Sequence, residues 1–330
     1  MAPTDARRLI PWTVVGAYGV LVLLLVSLNF ALPRALPGEP IAALSDPRSA
    51  LYVGDDTRRA AVERYYGLDR PAGEQYGRYL AGLVRGDLGT SIRYNAPVTE
   101  VIWSRLPWTL LLLGSALVTA TAVGMLGGVH SAWRRGRRAD RRLLTLFLAI
   151  ENIPVFFLAS IAAYVLAVKL GWFPLSGART PFSQSWSPLR QAADIAHHLV
   201  LPGTALTLQL MGFQYLMMRA SMVTELGSDH LLLGRAKGLS ERVLKYRYAA
   251  RNALLPSVTV FALQLGFAVT AAIFVETIFA YPGLGSLMVE SVAERDYPTM
   301  QGCFLVLTVL VVGANLLADV AYRRLDPRTA

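Results

Sequence analysis

The sequence predicts an all-α protein that crosses a membrane several times. The 330-residue chain is 54% hydrophobic, and its apolar residues are gathered into long runs. Runs of this length are typical of transmembrane helices. Basic residues are concentrated in the short segments between some of the runs, as in loops that are retained in the cytoplasm. A soluble domain of this length would have neither feature.

We predict six transmembrane helices, because six apolar runs can each cross roughly 30 Å of hydrocarbon at about 1.5 Å per residue. The first run follows Arg7 and Arg8 and is longer than the core of a signal peptide, so we interpret it as a retained helix. The approximate bounds of the runs are 10–33, 107–130, 143–170, 199–223, 255–280 and 301–322.

Loop charges predict the orientation of these helices. The segment 131–142 carries six arginines against the single carboxylate of Asp140, and the segment 224–254 is also basic. Both segments and both termini are therefore predicted to be cytosolic. The net charge of +10 is explained by these loops, so we predict no nucleic-acid partner. The predicted organisation is a cytosolic N-terminus with the first helix (1–33), an external loop (34–106), a five-helix core (107–322) and a cytosolic C-terminus (323–330).

The segment between the fourth and fifth apolar runs has the pattern of a helix, a glycine and a second helix. Ser228 or Asp229 is placed to cap a short first helix with its side chain. Gly238 is placed to end that helix in the left-handed conformation, and Ser240 to cap the next one. A short helix at a membrane face is suited to docking with a cytosolic partner.

Residues 234–239, with the sequence GRAKGL, are followed by RNALLP at 251–256. This segment resembles the coupling loop of ABC importer permeases, most closely that of the dipeptide, oligopeptide and nickel group. The sequence departs from that group at Leu233 and Gly234, where the group usually has Thr-Ala or Ala-Ala. Because glycine costs about 1 kcal/mol relative to alanine inside a helix, we expect slight fraying.

The resemblance extends over most of the chain, from about residue 32 to residue 328. The motifs GLDRP, GDLGTS, PVTEVI and RLPWTLLL between residues 67 and 113 resemble the external loop of the first of the two permease subunits in that group. The resemblance therefore implies the type I permease fold of ABC importers, with a large external loop between helices 1 and 2.

The resemblance also implies half of a translocation path for peptides across a bacterial plasma membrane. The implied partners are a homologous second permease, two ATPase subunits that bind ATP and Mg²⁺, and an extracytoplasmic solute-binding protein. This chain has no P-loop glycine run, and we expect it to hold no cofactor or metal and to catalyse no reaction. The same machinery could import nickel complexes or haem-like solutes, and a secondary transporter uncoupled from ATP is a more remote alternative.

Two groups of contact residues follow from the resemblance. The turn at the end of a predicted external helix is expected to contact the solute-binding protein through Arg85, Gly86, Asp87, Leu88 and Gly89. The short cytosolic helix and the glycine after it are expected to couple the chain to an ATPase through Leu231, Leu232, Leu233, Gly234, Arg235, Ala236, Lys237, Gly238 and Leu239.

Polar residues inside the apolar runs are candidates for the translocation path or a gate. A lone carboxylate at the depth of Glu151 is costly, so it either lines the path or forms a structural pair, for example with Arg219. Amides either line a path or hold helices together, and the carboxylate near the outer face is a gate, a pairing residue or a helix-end anchor. The candidates are Glu151, Asn152, Gln209, Gln214 and Glu276.

Overall fold

The computed structural model describes residues 12–35 and 69–325, together with the isolated positions 55, 57, 60, 64 and 67. Most of residues 36–68 of the predicted external loop lie outside this description. Residues 1–11 and 326–330, at the predicted cytosolic ends of the chain, also lie outside it. Every regular element among the described residues is helical, apart from an isolated bridge between Thr90 and Pro97. The prediction of an all-α protein is confirmed.

The described helices follow one another with short connections. They are α1 (Trp12–Ala35), α2 (Ala72–Arg85), α3 (Val98–Trp133), α4 (Arg138–Glu151), α5 (Val155–Ala162), α6 (Pro188–Glu225), α7 (Asp229–Ala236), α8 (Glu241–Val243), α9 (Arg251–Ile278), α10 (Leu284–Glu294) and α11 (Tyr297–Leu325). Two π-helical stretches extend α5 over Ala163–Lys169 and join α8 to α9 over Leu244–Ala250.

Each of the six predicted spans falls on a helix or a pair of helices, namely α1, α3, α4 with α5, α6, α9 and α11. By length and composition, the helices Val98–Trp133 and Tyr297–Leu316 could each cross a membrane alone. Within the described residues, the apolar stretches Gly19–Ala35 and Gln264–Ile278 are shorter. The number of six spans therefore stays a prediction.

The third predicted span is broken. α4 and α5 meet at an angle of 94°, either as one broken span or as a re-entrant segment. Pro154 precedes α5 with an extended backbone (ψ 142°). Because proline has no N–H to donate, α4 cannot continue through it. Pro154 therefore separates two helices where the sequence indicated a single span.

The chain divides into two compact units. The first comprises Met1–Pro107 and Gly283–Leu310, and the second comprises Trp108–Pro282 and Val311–Ala330. α3 and α11 each begin in the first unit and continue into the second.

In the first unit, α2 packs against the end of α1. The ring of Phe30 lies 5.1 Å from that of Tyr76 and 5.6 Å from that of Tyr79. Asn29 donates one hydrogen bond to the Tyr79 hydroxyl and another, of 2.8 Å, to the carbonyl oxygen of Gln301 on α11. The apolar spacing of residues 74–83 therefore marks a helix that lies on α1.

In the second unit, glycines of α3 allow it to approach α6 closely. A Cβ atom added at Gly124 would lie 2.6 Å from the carbonyl oxygen of Met211, and one at Gly128 would lie 2.8 Å from that of Tyr215. One at Gly127 would meet the Tyr215 ring at 3.2 Å. Since the obstructing atoms at Gly124 and Gly128 include backbone atoms of α6, a side chain there would push the helices apart.

We expect Gly128→Ala to destabilise the protein by about 1–3 kcal/mol, as overpacking of a close contact does. The melting temperature of the purified protein in mild detergent would measure the effect. Gly114→Ala on the same helix is the matched control, because an added Cβ atom there meets nothing within 4 Å. Equal melting temperatures for the two variants would contradict this role of Gly128.

Candidate functional site

The segment between α6 and α9 contains the short helix that the sequence predicts. α7 spans Asp229–Ala236, and Gly238 follows it with φ +72°. The N–H of Gly238 donates to the carbonyl oxygen of Arg235 at 2.9 Å, and that of Leu239 to Gly234 at 3.2 Å. The prediction that Gly238 ends this helix in the left-handed conformation is confirmed.

The predicted side-chain caps of this segment are not formed. Ser228 and Ser240 precede α7 and α8 with extended backbones, but neither side chain makes a capping hydrogen bond. The Ser228 hydroxyl donates instead to the carbonyl oxygen of Glu225 at 2.7 Å. The sequence thus predicts correctly where both helices start, but the side-chain capping hydrogen bonds that it predicts are not formed.

Leu231 anchors α7 to the second unit. Its side chain is fully buried in an apolar cluster that joins α3, α6, α7, the π-helical stretch before α9 and the start of α9. The buried members of the cluster are Val129, Ala132, Met218, Met222, Leu231, Leu244, Ala249, Ala250 and Ala253. A displacement of α7 would therefore act on four other helical elements at once.

The opposite face of α7 is open. The side chains of Leu232 and Leu233 are 67% and 56% exposed. Exposed basic and small residues continue this surface. We call the set the coupling surface: Leu232, Leu233, Arg235, Ala236, Lys237 and Gly238.

Gly234 lies on the buried side of α7 and has a packing role. A Cβ atom there would lie 2.7 Å from Cδ2 of Leu244 and 3.5 Å from Cδ1 of Leu239. The glycine lets α7 lie directly on the π-helical stretch. Helix propensity alone predicts only that Gly234 destabilises the helix. The packing contact with Leu244 that explains the glycine depends on the fold.

His230 ties α7 to its neighbours, and sequence reasoning missed it. Its Nε2 atom lies 3.2 Å from the Ser228 hydroxyl, from Nδ2 of Asn252 and from Oε2 of Glu225. These contacts join the end of α6 and the start of α9 to α7. No sequence motif marks such a residue, since its partners are set by the fold.

Arg219 pairs with Asp140, so the predicted alternative of a pair between Arg219 and Glu151 is wrong. The guanidinium donates from Nε to Oδ1 at 2.9 Å and from Nη2 to Oδ2 at 3.0 Å. Ser131 and the backbone of Gly136 also donate to the same carboxylate. Asp140 is the one carboxylate in an arginine-rich loop, and that isolation is the sequence signal that could have marked it.

Glu151 lies against α6 at Gly212. A Cβ atom at Gly212 would be 2.5 Å from Oε2 of Glu151, so the glycine makes room for the carboxylate. This oxygen is buried and has no hydrogen-bond partner among the described residues. Gln209, one turn before Gly212 on α6, has a buried Oε1 atom that likewise lacks a partner there. Asn152 is exposed and donates to the carbonyl oxygen of Leu148.

Two of the five path candidates form ties between helices. Gln214 is fully buried and donates to Oε1 of Gln264 at 2.9 Å, and Gln264 donates to the carbonyl oxygen of Leu210 at 2.8 Å. Glu276, also fully buried, accepts a hydrogen bond of 2.7 Å from Thr109. These bonds join α6 to α9 and α9 to α3. Gln264 is a further residue that the sequence reasoning did not single out.

In the first unit, residues 85–91 form the tight turn that the sequence predicts. Gly86 and Gly89 have φ values of +75° and +83°, and the N–H of Gly89 donates to Asp87. The Ser91 hydroxyl donates to the buried carboxylate of Asp296, which fixes the turn to the start of α11. The expected binding-protein contacts lie on this turn: Arg85, Gly86, Asp87 and Gly89 are exposed, and Leu88 is half-buried.

Tyr94 braces the same unit. Its hydroxyl donates to Oε2 of Glu290 on α10 at 3.0 Å, and Arg105 donates to it at 3.3 Å. Burial and the nearby carboxylate of Glu290 raise the pKa of Tyr94. The phenol therefore stays a neutral donor at physiological pH.

The adjacent histidines His197 and His198 make structural contacts. His197 lies 3.1 Å from the carbonyl oxygen of Trp172, and His198 lies 2.9 Å from that of Asp194. Burial opposes ionisation of Asp194, but two hydrogen bonds from Thr180 outweigh it and lower the pKa of this carboxyl. Within the described residues, no group of three or more His, Cys, Asp or Glu side chains could hold a metal.

We expect Asp140→Ala to destabilise the protein by about 3–5 kcal/mol, because it leaves the largely buried guanidinium of Arg219 without its carboxylate. Thermal unfolding in detergent would measure the loss. Glu74→Ala is the matched control, since its pairs with Arg70 and Arg78 are exposed and such pairs contribute about 0–1 kcal/mol. Similar losses in both variants would disprove a special role for Asp140.

Comparison with known proteins identifies relatives along most of the chain. The sequence profile of the family described as binding-protein-dependent transport system inner membrane component matches residues 121–330. The oligopeptide transport system permease protein AppB of Bacillus subtilis is 37% identical over 303 residues, covering 91% of this chain and 92% of that protein. The dipeptide transport system permease protein DppB of Alkalihalophilus pseudofirmus is 34% identical over 323 residues, with the same coverage.

Two further likenesses agree with these. The glutathione transport system permease protein GsiC of Escherichia coli is 35% identical over 300 residues, covering 91% of this chain and 92% of that protein. Among solved structures, the MetNI methionine ABC transporter in an inward-facing conformation matches with a TM-score of 0.56 and 16% identity. The match covers 69% of this chain and 97% of the MetNI chain, and at this identity it shows the fold alone.

Proposed function

The chain belongs to the family of inner membrane components of binding-protein-dependent transport systems, and we propose that it imports peptides. It is a membrane-embedded permease subunit of an ABC importer, and separate ATPase subunits hydrolyse ATP. The observation that carries the peptide substrate is the 34–37% identity, over 91% of the chain, to permeases named for oligopeptide, dipeptide and glutathione transport. Nickel complexes are not favoured by these relatives.

The proposal includes the partners that the family requires. A homologous second permease would complete the translocation path, two ATPase subunits would bind on the cytosolic side, and a solute-binding protein would deliver peptide from outside. The importer would lie in a bacterial plasma membrane with both termini of this chain in the cytosol. The arginine-rich loop 131–142 supports this orientation.

Within this assembly, α7 would couple the chain to an ATPase subunit. The coupling surface presents exposed leucines beside Arg235 and Lys237, a combination that suits an apolar groove with an acidic rim. Association would bury Leu232 and Leu233, whereas Leu231 would remain within its own chain. Leu231 and Gly234 thus position the helix, and the exposed residues make the contact.

The buried cluster beneath α7 would transmit the motion of the ATPases. Leu231 packs in one apolar cluster with residues of α3, α6 and the π-helical stretch that leads into α9, so a push on α7 moves packed elements together. ATP can shift the transporter between two conformations only by binding one of them more tightly. A shift from 1:99 to 99:1 requires about 5.5 kcal/mol of such difference.

We predict that the double variant Leu232→Ala, Leu233→Ala lowers co-purification of the ATPase subunits by tenfold or more, since each lost anchor contributes about 1 kcal/mol or more. Mass spectrometry of the affinity-purified complex would quantify the ATPase subunits that remain bound. The melting temperature of the variant chain should be unchanged, because both side chains are exposed. Leu231→Ala should instead lower stability by about 2–5 kcal/mol.

Leu189→Ala, an exposed leucine at the start of α6, is the control for surface substitution and should leave ATPase binding intact. Undiminished ATPase binding by the double variant would show that the partner docks elsewhere.

We propose that Glu151, Asn152 and Gln209 line the translocation path. Glu151 of α4 lies against Gly212 of α6, three residues after Gln209, and neither Oε2 of Glu151 nor Oε1 of Gln209 has a partner among the described residues. Carboxylate and amide oxygens accept hydrogen bonds from the ammonium and amide N–H groups of a peptide. Gln214 and Glu276 each form a hydrogen bond to another helix, although Oε1 of Gln214 also has no partner among the described residues.

We expect Glu151→Gln to reduce uptake of a peptide with a free amino terminus by about tenfold, the worth of one hydrogen bond to a charged group. Uptake of the same peptide with an acetylated amino terminus should change little. The amount of assembled importer should equal that of the wild type, and Glu100→Gln, an exposed carboxylate on α3, should transport normally. Loss of folded protein instead would assign Glu151 to structure.

The turn at 85–89 would contact the solute-binding protein. It projects exposed polar groups from a base that is fixed by Ser91 and Asp296. A rigid exposed turn loses little conformational entropy on binding, which supports this assignment.

A further inference from the structure

The first unit contains a partly open cavity of about 430 Å³. One wall is the turn at 87–90, and another is the side of α2 that carries Gln75 and Tyr79. Among the described side chains that line it are four arginines and one aspartate: Arg34, Arg64, Arg70, Arg78 and Asp87. This excess of cationic groups in one cavity favours an anion.

The guanidinium of Arg34 is held rigidly at this cavity. Its Nε and Nη2 atoms donate to Oε1 of Gln75 at 3.2 and 2.6 Å, and Nη1 donates to the carbonyl oxygen of Phe30 at 2.9 Å. The group also lies 3.6 Å from the centre of the Phe30 ring. Since a guanidinium has five N–H donors, a fixed Arg34 retains donors for a ligand at little entropic cost.

The other arginines are only partly neutralised. Arg70 and Arg78 both direct a terminal nitrogen at the same oxygen of Glu74, at 2.6 and 3.2 Å. Asp87 lies on the turn and accepts the N–H of Gly89. Among the lining residues and Glu74, four positive charges stand against two negative ones. An oxyanion with one or two negative charges would balance them.

The position of the cavity indicates where such an anion comes from. Arg34 lies in the last turn of α1, the apolar helix that the sequence predicts to be the first span. Leu23, Leu24 and Leu28 of this helix are exposed, as are lipid-facing side chains. Tyrosines are enriched at membrane interfaces, and those of α2 lie against the end of α1. The cavity is therefore at the level of lipid headgroups.

We propose that this cavity binds the phosphate group of an anionic phospholipid, with the acyl chains along the exposed apolar face of α1. Guanidinium groups bind phosphate oxygens through paired N–H donors. The uncompensated positive charge favours a headgroup with no cation of its own over a zwitterionic one. The lipid would hold α2 and its exposed turn at the membrane surface, and this role does not depend on which solute is imported.

The test uses the full-length chain in its purified importer complex, stripped of lipid in mild detergent. Phosphatidylglycerol and phosphatidylcholine with identical acyl chains are added in turn, and bound lipid is counted by native mass spectrometry. We expect phosphatidylglycerol to bind more tightly. The double variant Arg64→Gln, Arg78→Gln should weaken it by about fivefold for each arginine removed.

Arg179→Gln, at an exposed position before α6 and outside the cavity lining, is the control and should bind phosphatidylglycerol like the wild type. The single variant Arg64→Gln, at an exposed position, keeps the test valid if the double variant is unstable. Equal binding of the two lipids, or equal loss with Arg179→Gln, would overturn the proposal. Displacement of the lipid by millimolar inorganic phosphate would assign the site to a free anion instead. If the double variant binds phosphatidylglycerol like the wild type but no longer docks the solute-binding protein, the arginines would be assigned to that protein.

Discussion

The backbone contact between α3 and α6 is the constraint on which the second unit depends. Gly124 and Gly128 leave no side chain between the two helices, so residues further along each helix meet at short range. That approach brings the start of α4 within reach of α6, where Asp140 accepts two hydrogen bonds from the guanidinium of Arg219. It also gathers the apolar cluster on which Leu231 rests. The apolar cluster on which α7 packs therefore depends on the close contact between α3 and α6 at Gly124 and Gly128.

A second constraint comes from the apolar surroundings. In hydrocarbon, polar groups must be satisfied within the protein, and Gln214 donates to Gln264, as Thr109 does to Glu276, across helix boundaries. Glu151 differs, because no hydrogen bond joins its buried Oε2 atom to another helix among the described residues. A carboxylate without such a pair is suited to an exchangeable ligand.

α7 combines two properties that a force-transmitting element needs. Its buried side is packed through Leu231 and Gly234, and His230 joins its start to neighbouring helices. Its other side leaves leucines in contact with solvent. Burying those leucines against a partner is favourable by the hydrophobic effect, at about 25 cal/mol per Å² of apolar area. The same short helix can thus bind outside its chain without loosening its attachment inside it.

The sequence by itself determined the helical class, the positions of the apolar helices, the left-handed Gly238 and the turn at 85–91. Each of these follows from local properties, namely hydrophobic length and the backbone freedom of glycine. Only the tertiary structure decided that Arg219 pairs with Asp140 and that Leu231 is buried while Leu232 is exposed. Ion pairs and buried faces depend on which distant helices meet, and spacing along one helix carries no information about its neighbours.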